Sequence, residues 1–223
     1  MYQKQWKWAE AESEFKLALE LKPNDAVAHS VYADWLACQG RTEETLAWAK
    51  RGRELDPLGN ADIVGWHLLL GRRYDESIWE YRSVLAVHPD SAVARWGLGF
   101  ALILNARPKE AIPVLETVVS IMKRSPGSLG MLAAAHARAG NRAEALRLID
   151  ELKHRRQKDN YVSAGAFIEP LLAIGDYDQA FFWCDEAYKE QSAILQWIKV
   201  HPFFDPVRDD PRFKDLLRRV GLG

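Results

Sequence analysis

Cysteine is almost missing from this chain: 223 residues hold only Cys38 and Cys184. No disulfide framework can carry the fold, and each thiol lies in a helical pattern beside apolar residues, where a free cysteine serves as a small buried hydrophobe. Neither sign of charge dominates. Thirty Lys and Arg against 31 Asp and Glu leave a net charge of -1, so no global field draws the chain to nucleic acid, an anionic membrane or an acidic ligand. No apolar run reaches the ~18 residues that span a bilayer, and the start, with Tyr2, Gln3, Lys4 and Gln5, lacks the core of a signal peptide. A reducing cytoplasm is the expected setting. The histidines His29, His67, His88, His136, His154 and His201 are scattered without HxxxH or HExxH spacing. Neither a Walker loop nor a G-x-S-x-G elbow is present. Gly97-Leu98-Gly99 begins like a dinucleotide loop but lacks the third glycine and a preceding strand, and reads as small residues that let helices approach. Glu10 and Glu12, or Asp209 and Asp210, fall on polar faces or caps. No enzyme, cofactor or metal is expected.

What is present is a repeat. Counting back from Pro57, small or apolar residues fall five, eight and twelve places earlier at Gly52, Ala49 and Thr45; from Pro23 the same count gives Ala18, Phe15 and Ala11, and from Pro89 it gives Val84, Tyr81 and Ser77. Pro23 to Pro57 is 34 residues and Pro57 to Pro89 is 32, the period expected of tetratricopeptide repeats, helix-turn-helix units that stack into a solenoid. The fold class is therefore all-α: a right-handed solenoid of stacked pairs with a C-terminal helical cap. With 48% apolar and 27% charged residues, one array of this length can bury its own core.

Taken in order, 1–25 reads as a half repeat, 26–59, 60–90, 91–125, 126–160 and 161–192 as pairs, and 193–223 as the cap. The half repeat carries one helix, Trp8 to Leu21, whose face of Trp8, Ala11, Phe15, Ala18 and Leu21 has no partner before it. Two readings follow: a C-terminal piece of a longer protein or an internal start, or a cap improvised from Tyr2, Trp6 and Trp8. Later first helices run from about Ala61 to Leu70, Ala92 to Asn105, Pro126 to Ala139 and Val162 to Ile174; second helices run from Tyr74 to Val87, from Pro108, from Arg142 to Lys153 and from Tyr177 to Glu190. Asp90 or Ser91 can cap one helix, Pro108 suits a first turn, Pro113 predicts a slight irregularity and Pro170 a kink. The basic run Lys153 to Asn160 is either a phosphate contact or a solvated helix end whose cations suit the helix dipole. In the tail, Ala193 to Ile198 forms a short turn, and Asp210-Pro211 opens a last helix stopped by Gly221. Trp197, Ile198, Phe203, Phe204 and Phe213 are expected to cover the last repeat.

The run Gly175-Asp176-Tyr177-Asp178-Gln179-Ala180-Phe181, with Ala187-Tyr188, Trp197-Ile198-Lys199-Val200, Phe204-Asp205-Pro206-Val207-Arg208 and Asp210-Pro211-Arg212-Phe213, resembles the close of a bacterial tetratricopeptide arm. The opening Trp6-Lys7-Trp8-Ala9-Glu10-Ala11-Glu12 shares the likeness. The resemblance implies the C-terminal arm of a large signalling protein, carried behind a winged-helix DNA-binding domain, a Ser/Thr protein kinase or a nucleotide cyclase, and receiving partners or signals. His201 and Phe203 stand where the resemblance leads one to expect an acidic and a basic residue.

Repeat register sends Asp34 and Cys38, then Trp66, Leu69 and Leu70, then Trp96, Phe100, Ile103 and Leu104, and finally Arg138 toward the concave groove, together with Ala134. An apolar, aromatic groove suits an amphipathic helix or extended peptide. The expected partner is thus a protein or peptide segment, or the protein's own upstream domain, with no membrane and no nucleic acid. A second reading makes the groove an intramolecular or small-ligand sensor, closed into a pocket by Trp66, Trp96 and Phe100. A third makes Trp66 and Trp96 mutual core. Ser30 and Asp34 occupy places where a clamp for a chaperone's C-terminal carboxylate carries Lys, Asn or Arg, which argues against that partner.

Overall fold

The computed structural model describes residues 6–159 and 162–223. Helix α1 (Trp8–Leu21) is followed by five antiparallel pairs: α2 (Ala26–Cys38) with α3 (Thr42–Leu55), α4 (Ile63–Leu70) with α5 (Tyr74–Val87), α6 (Ala92–Leu104) with α7 (Pro108–Ile121), α8 (Pro126–Arg138) with α9 (Arg142–Asp159), and α10 (Gly165–Ile174) with α11 (Tyr177–Lys189). Two 3-10 helices, Ala193–Trp197 and Pro202–Val207, lead to α12 (Pro211–Arg219). Each first helix also packs on the first helix of the next pair, which makes the array a solenoid.

The sequence punctuation accounts for these limits. Asp25 accepts a hydrogen bond from the Ala28 N–H (2.9 Å), Ser91 from Ala94 (3.2 Å), Asp176 from Gln179 (3.2 Å) and Asp210 from Arg212 (2.8 Å), each satisfying a helix-start donor. The turns inside the pairs need one left-handed residue. Gly40, Gly140 and Gly175 supply it at φ 83°, 84° and 80°, whereas Arg72 and Ala106 adopt it at 62° and 56°. The repeat positions form the core: Thr45, Ala49 and Gly52, then Ser77 and Tyr81, then Ala180, Cys184 and Ala187 are all buried. Gly97 and Gly99 serve close packing, since a Cβ on Gly97 would lie 2.2 Å from Tyr81 Cζ and one on Gly99 2.5 Å from a Leu115 methyl.

Several limits differ from the sequence reading. α4 starts at Ile63 and α10 at Gly165, later than Ala61 and Val162. α9 continues through the basic run to Asp159, because arginines there find partners on neighbouring elements; Asn160 lies outside the described residues. α7 and α10 run without interruption past Pro113 and Pro170.

The tail does more than cover the last repeat. It crosses the concave side, where Arg72 of the α4–α5 turn holds Asp205 (2.6 and 3.3 Å) and donates to the Val200 carbonyl (3.4 Å). Its end then meets the beginning of the chain. Trp8 Nε1 donates to the Val220 carbonyl at 2.6 Å, Trp35 Nε1 donates to the Trp8 carbonyl at 3.0 Å, and Trp6 stacks on Tyr188 at 6.4 Å. The superhelix thereby closes into a ring, and the first turn of α1 gains the cover that the half repeat lacked. Beyond that turn cover fails: Phe15 is half-buried, while Ala18 and Leu21 are exposed. Tyr2 lies outside the described residues.

Trp8→Phe keeps most of the ring contact but removes the bond to Val220. It should cost about 1 kcal/mol in urea unfolding and speed amide exchange in α12 and α1 while leaving α6–α8 unchanged; uniform loss of protection would refute a local closure.

Candidate functional site

The middle of the concave side is an aromatic cluster. Trp66 and Trp96 lie 6.2 Å apart, Phe100 sits 6.0 Å from Trp66 and 5.3 Å from Trp96, and the tail adds Trp197 edge-on to Trp66 at 5.5 Å with an interplanar angle of 85°. His201 and Phe203 complete it, 5.4 and 5.5 Å from Phe100. Edge-on and tilted ring pairs of this kind contribute about 0.5–1.5 kcal/mol each beyond area burial. Phe100 and Phe203 are fully buried.

Beside this cluster lies a cavity of about 570 Å³, lined by Asp62 and Trp66, Tyr81, Val93 and Trp96, Pro126 and Gly127, Ser163, Gly165, Ala166 and Glu169, and the tail's Ser192, Ala193, Ile194, Trp197 and His201. That volume is within the range of about 300–1,000 Å³ typical of small-molecule sites. Glu169, near the middle of α10, is 8% exposed and places Oε1 3.1 Å from His201 Nε2. Asp62 precedes α4 without making a capping bond through its side chain.

The groove residues expected from register do not share one environment. Trp66 and Trp96 touch each other and also face the cavity, so the groove and core readings each describe one side of the same rings. Cys38, Leu69, Leu70, Phe100 and Ile103 are buried, covered by neighbouring helices and the tail, and present no surface to a partner in this structure. Leu104 is half-buried, and exposed Arg138 lays its guanidinium over Phe203 at 5.5 Å. Asp34 stands apart from the cavity, Oδ1 3.4 Å from Nε2 of buried His67. Glu169, Asp62, His201 and Ile194 were not anticipated as site residues. The only signal for them was a tail richer in aromatic residues than one helix end needs.

Burial pushes His67 down to about 3 and Asp34 up to about 7, with Asp62's charge adding to the rise. Asp34 keeps 37% of its side chain open, so water screens part of its effect on stability. The basic run is engaged internally: Arg155 donates to the Arg124 carbonyl at 2.6 Å, and Arg156 binds Glu190 at 2.7 Å while lying over Trp183 at 5.1 Å. Cys38 and Cys184 are buried, and burial pushes the Cys184 thiol up. Among the described residues no helix is long and apolar enough to cross a membrane.

Residues 102–166 match the tetratricopeptide repeat family model. Among solved structures, PilF of Pseudomonas aeruginosa is 16% identical with TM-score 0.58, covering 89% of this chain and 90% of its own. A tetratricopeptide repeat protein from Parabacteroides merdae is 12% identical with TM-score 0.58, covering 98% and 88%. The anaphase-promoting complex hetero-tetramer Cut9–Hcn1 gives TM-score 0.64 at 13% identity over 99% of this chain, which spans 47% of that one. No curated protein matches the sequence. The fold is that of a tetratricopeptide-repeat solenoid, as the repeat period predicts.

Two outcomes are expected. Phe100→Ala should cost about 3–5 kcal/mol in urea unfolding, because Phe100 is fully buried; a cost below about 1 kcal/mol would make it a groove residue. Asp34 is raised, so the folded chain keeps a proton that the unfolded chain releases near its ordinary 3.8, and stability is lost as pH rises from there toward 7. Asp34→Asn should therefore be more stable than the parent at pH 8 and lose that advantage at pH 4, and an equal difference at both pH values would contradict the assignment.

Proposed function

We propose that this chain is a non-catalytic protein-interaction module, the regulatory arm of a bacterial signalling or transcription-regulatory protein of the cytoplasm, whose state is set by a small ligand in the Trp66–Trp96–Trp197 cavity. One observation carries the reading: the walls come from α4, α6, α8, α10 and the tail, so the cavity is complete only with the tail lying across these helices. A ligand touching all of them binds the closed form and favours it over any opened one. The repeat fold, which displays long surfaces to partners, and the likeness of the tail to signalling arms support the interaction and regulatory parts. An amphipathic helix or extended peptide lying along the groove would have to displace the tail, since Phe100 and Phe203 are already covered.

A small-metabolite library screened by thermal shift against the full chain and against Ala166→Phe, which fills the cavity, tests this. A ligand at 100 times its Kd should raise the melting temperature of the parent by about 5–10 °C and leave the variant unmoved. Absence of any such rise, or equal rises in both proteins, would remove the small-ligand reading.

A further inference from the structure

The cavity has a definite chemical polarity. Three indoles, Trp66, Trp96 and Trp197, supply faces and edges, two carboxylates, Asp62 and Glu169, line the same space, and no Lys or Arg does so among the described residues. His201 is the one nitrogen base in the lining. Its Nε2 lies 3.1 Å from Glu169, whereas Nδ1 is buried with no hydrogen-bond partner. The Nε2 contact holds the Glu169 carboxylate in place at the cavity wall. The Asp62 side chain makes no capping bond to α4.

We infer that this cavity binds a small organic cation, a protonated amine or guanidinium carried on an apolar aromatic or aliphatic body. The cation sits against the indole faces, which attract positive charge through their quadrupole. Its N–H groups donate to the carboxylates as charge-assisted hydrogen bonds. Its apolar body fills the remainder, walled by Val93, Ala166 and Ile194. An anion meets two carboxylates and no Lys or Arg in the lining, and a neutral ligand gains the packing alone. This inference deepens the small-ligand reading above and rests on it.

Isothermal titration of the full chain near pH 7 in low salt with 4-phenylbutylamine, the neutral 4-phenylbutan-1-ol and the anion 4-phenylbutyrate separates the cases. The amine should bind about tenfold or more tighter than the alcohol, and the anion should not bind. Asp62→Asn should weaken the amine several-fold and leave the alcohol unchanged. Glu169→Gln should do the same, and if circular dichroism shows that variant unfolded, Asp62→Asn decides alone. Equal affinity for amine and alcohol, or preference for the anion, overturns the cation assignment while the cavity stays a ligand site. Failure of all three probes also overturns it, and the Ala166→Phe screen then judges the small-ligand reading separately.

Discussion

Everything on the concave side depends on the seating of the tail's aromatic residues on Phe100 and Trp66. A solenoid of helix pairs buries the faces between pairs as it stacks, but it does nothing for apolar residues that point to its inner surface. Here those residues are large, and α6 contributes Trp96 and Phe100 on successive turns. Left open they would form an exposed apolar patch of the kind that drives association. The chain covers the patch with its own residues 193–207, and that choice fixes the rest: the tail must cross the ring, α12 must end near the start, and Trp8 then finds the Val220 carbonyl.

The array itself was readable from local signals. Helix starts follow Asp25, Ser91, Asp176 and Asp210, which accept the first N–H groups, and three of the five turns inside the pairs carry a glycine at positive φ just after the first helix, Gly40, Gly140 and Gly175. These depend on a few neighbouring residues, so a single sequence displays them. The path of the tail was not readable, because Trp197, Phe203 and Phe204 fit a cap on the last pair as well as a crossing of the groove. Periodicity says that they are apolar and says nothing of what they meet. Glu169 illustrates the same limit. In sequence it is one acid on a helix, and its burial makes sense only once His201, from a different element, is placed 3.1 Å away.

The basic run ending α9 shows the opposite error, of reading composition too broadly. A cluster of cations suggested either a phosphate site or a solvated helix end, yet Arg155 and Arg156 act as ties between elements, reaching the Arg124 carbonyl and Glu190. Arg156 also lies over Trp183, so its guanidinium meets a ring face and a carboxylate together, an arrangement suited to its planar fork. The extra turns of α9 follow from those contacts, since local propensity gave no reason to prefer Asp159 over Lys153 as the end.

Magnitudes decide between the two uses of the concave side. Lifting the tail re-exposes at least Phe100, Ile198 and Phe203, all fully buried, at about 1.5–3 kcal/mol each or about 5–9 kcal/mol together. A partner peptide of micromolar affinity for a bare groove brings about 8 kcal/mol, so displacement would consume most of what it gains. A ligand entering the cavity of about 570 Å³ meets no such opposition, because the aromatic cluster stays intact and the tail forms one of its walls. Its binding energy adds to closure instead of competing with it. The same tail contact that opposes an extended chain also walls the open cavity, and in the proposed reading a partner that recognises the ring's closed form elsewhere on its surface would be coupled to that ligand by linkage.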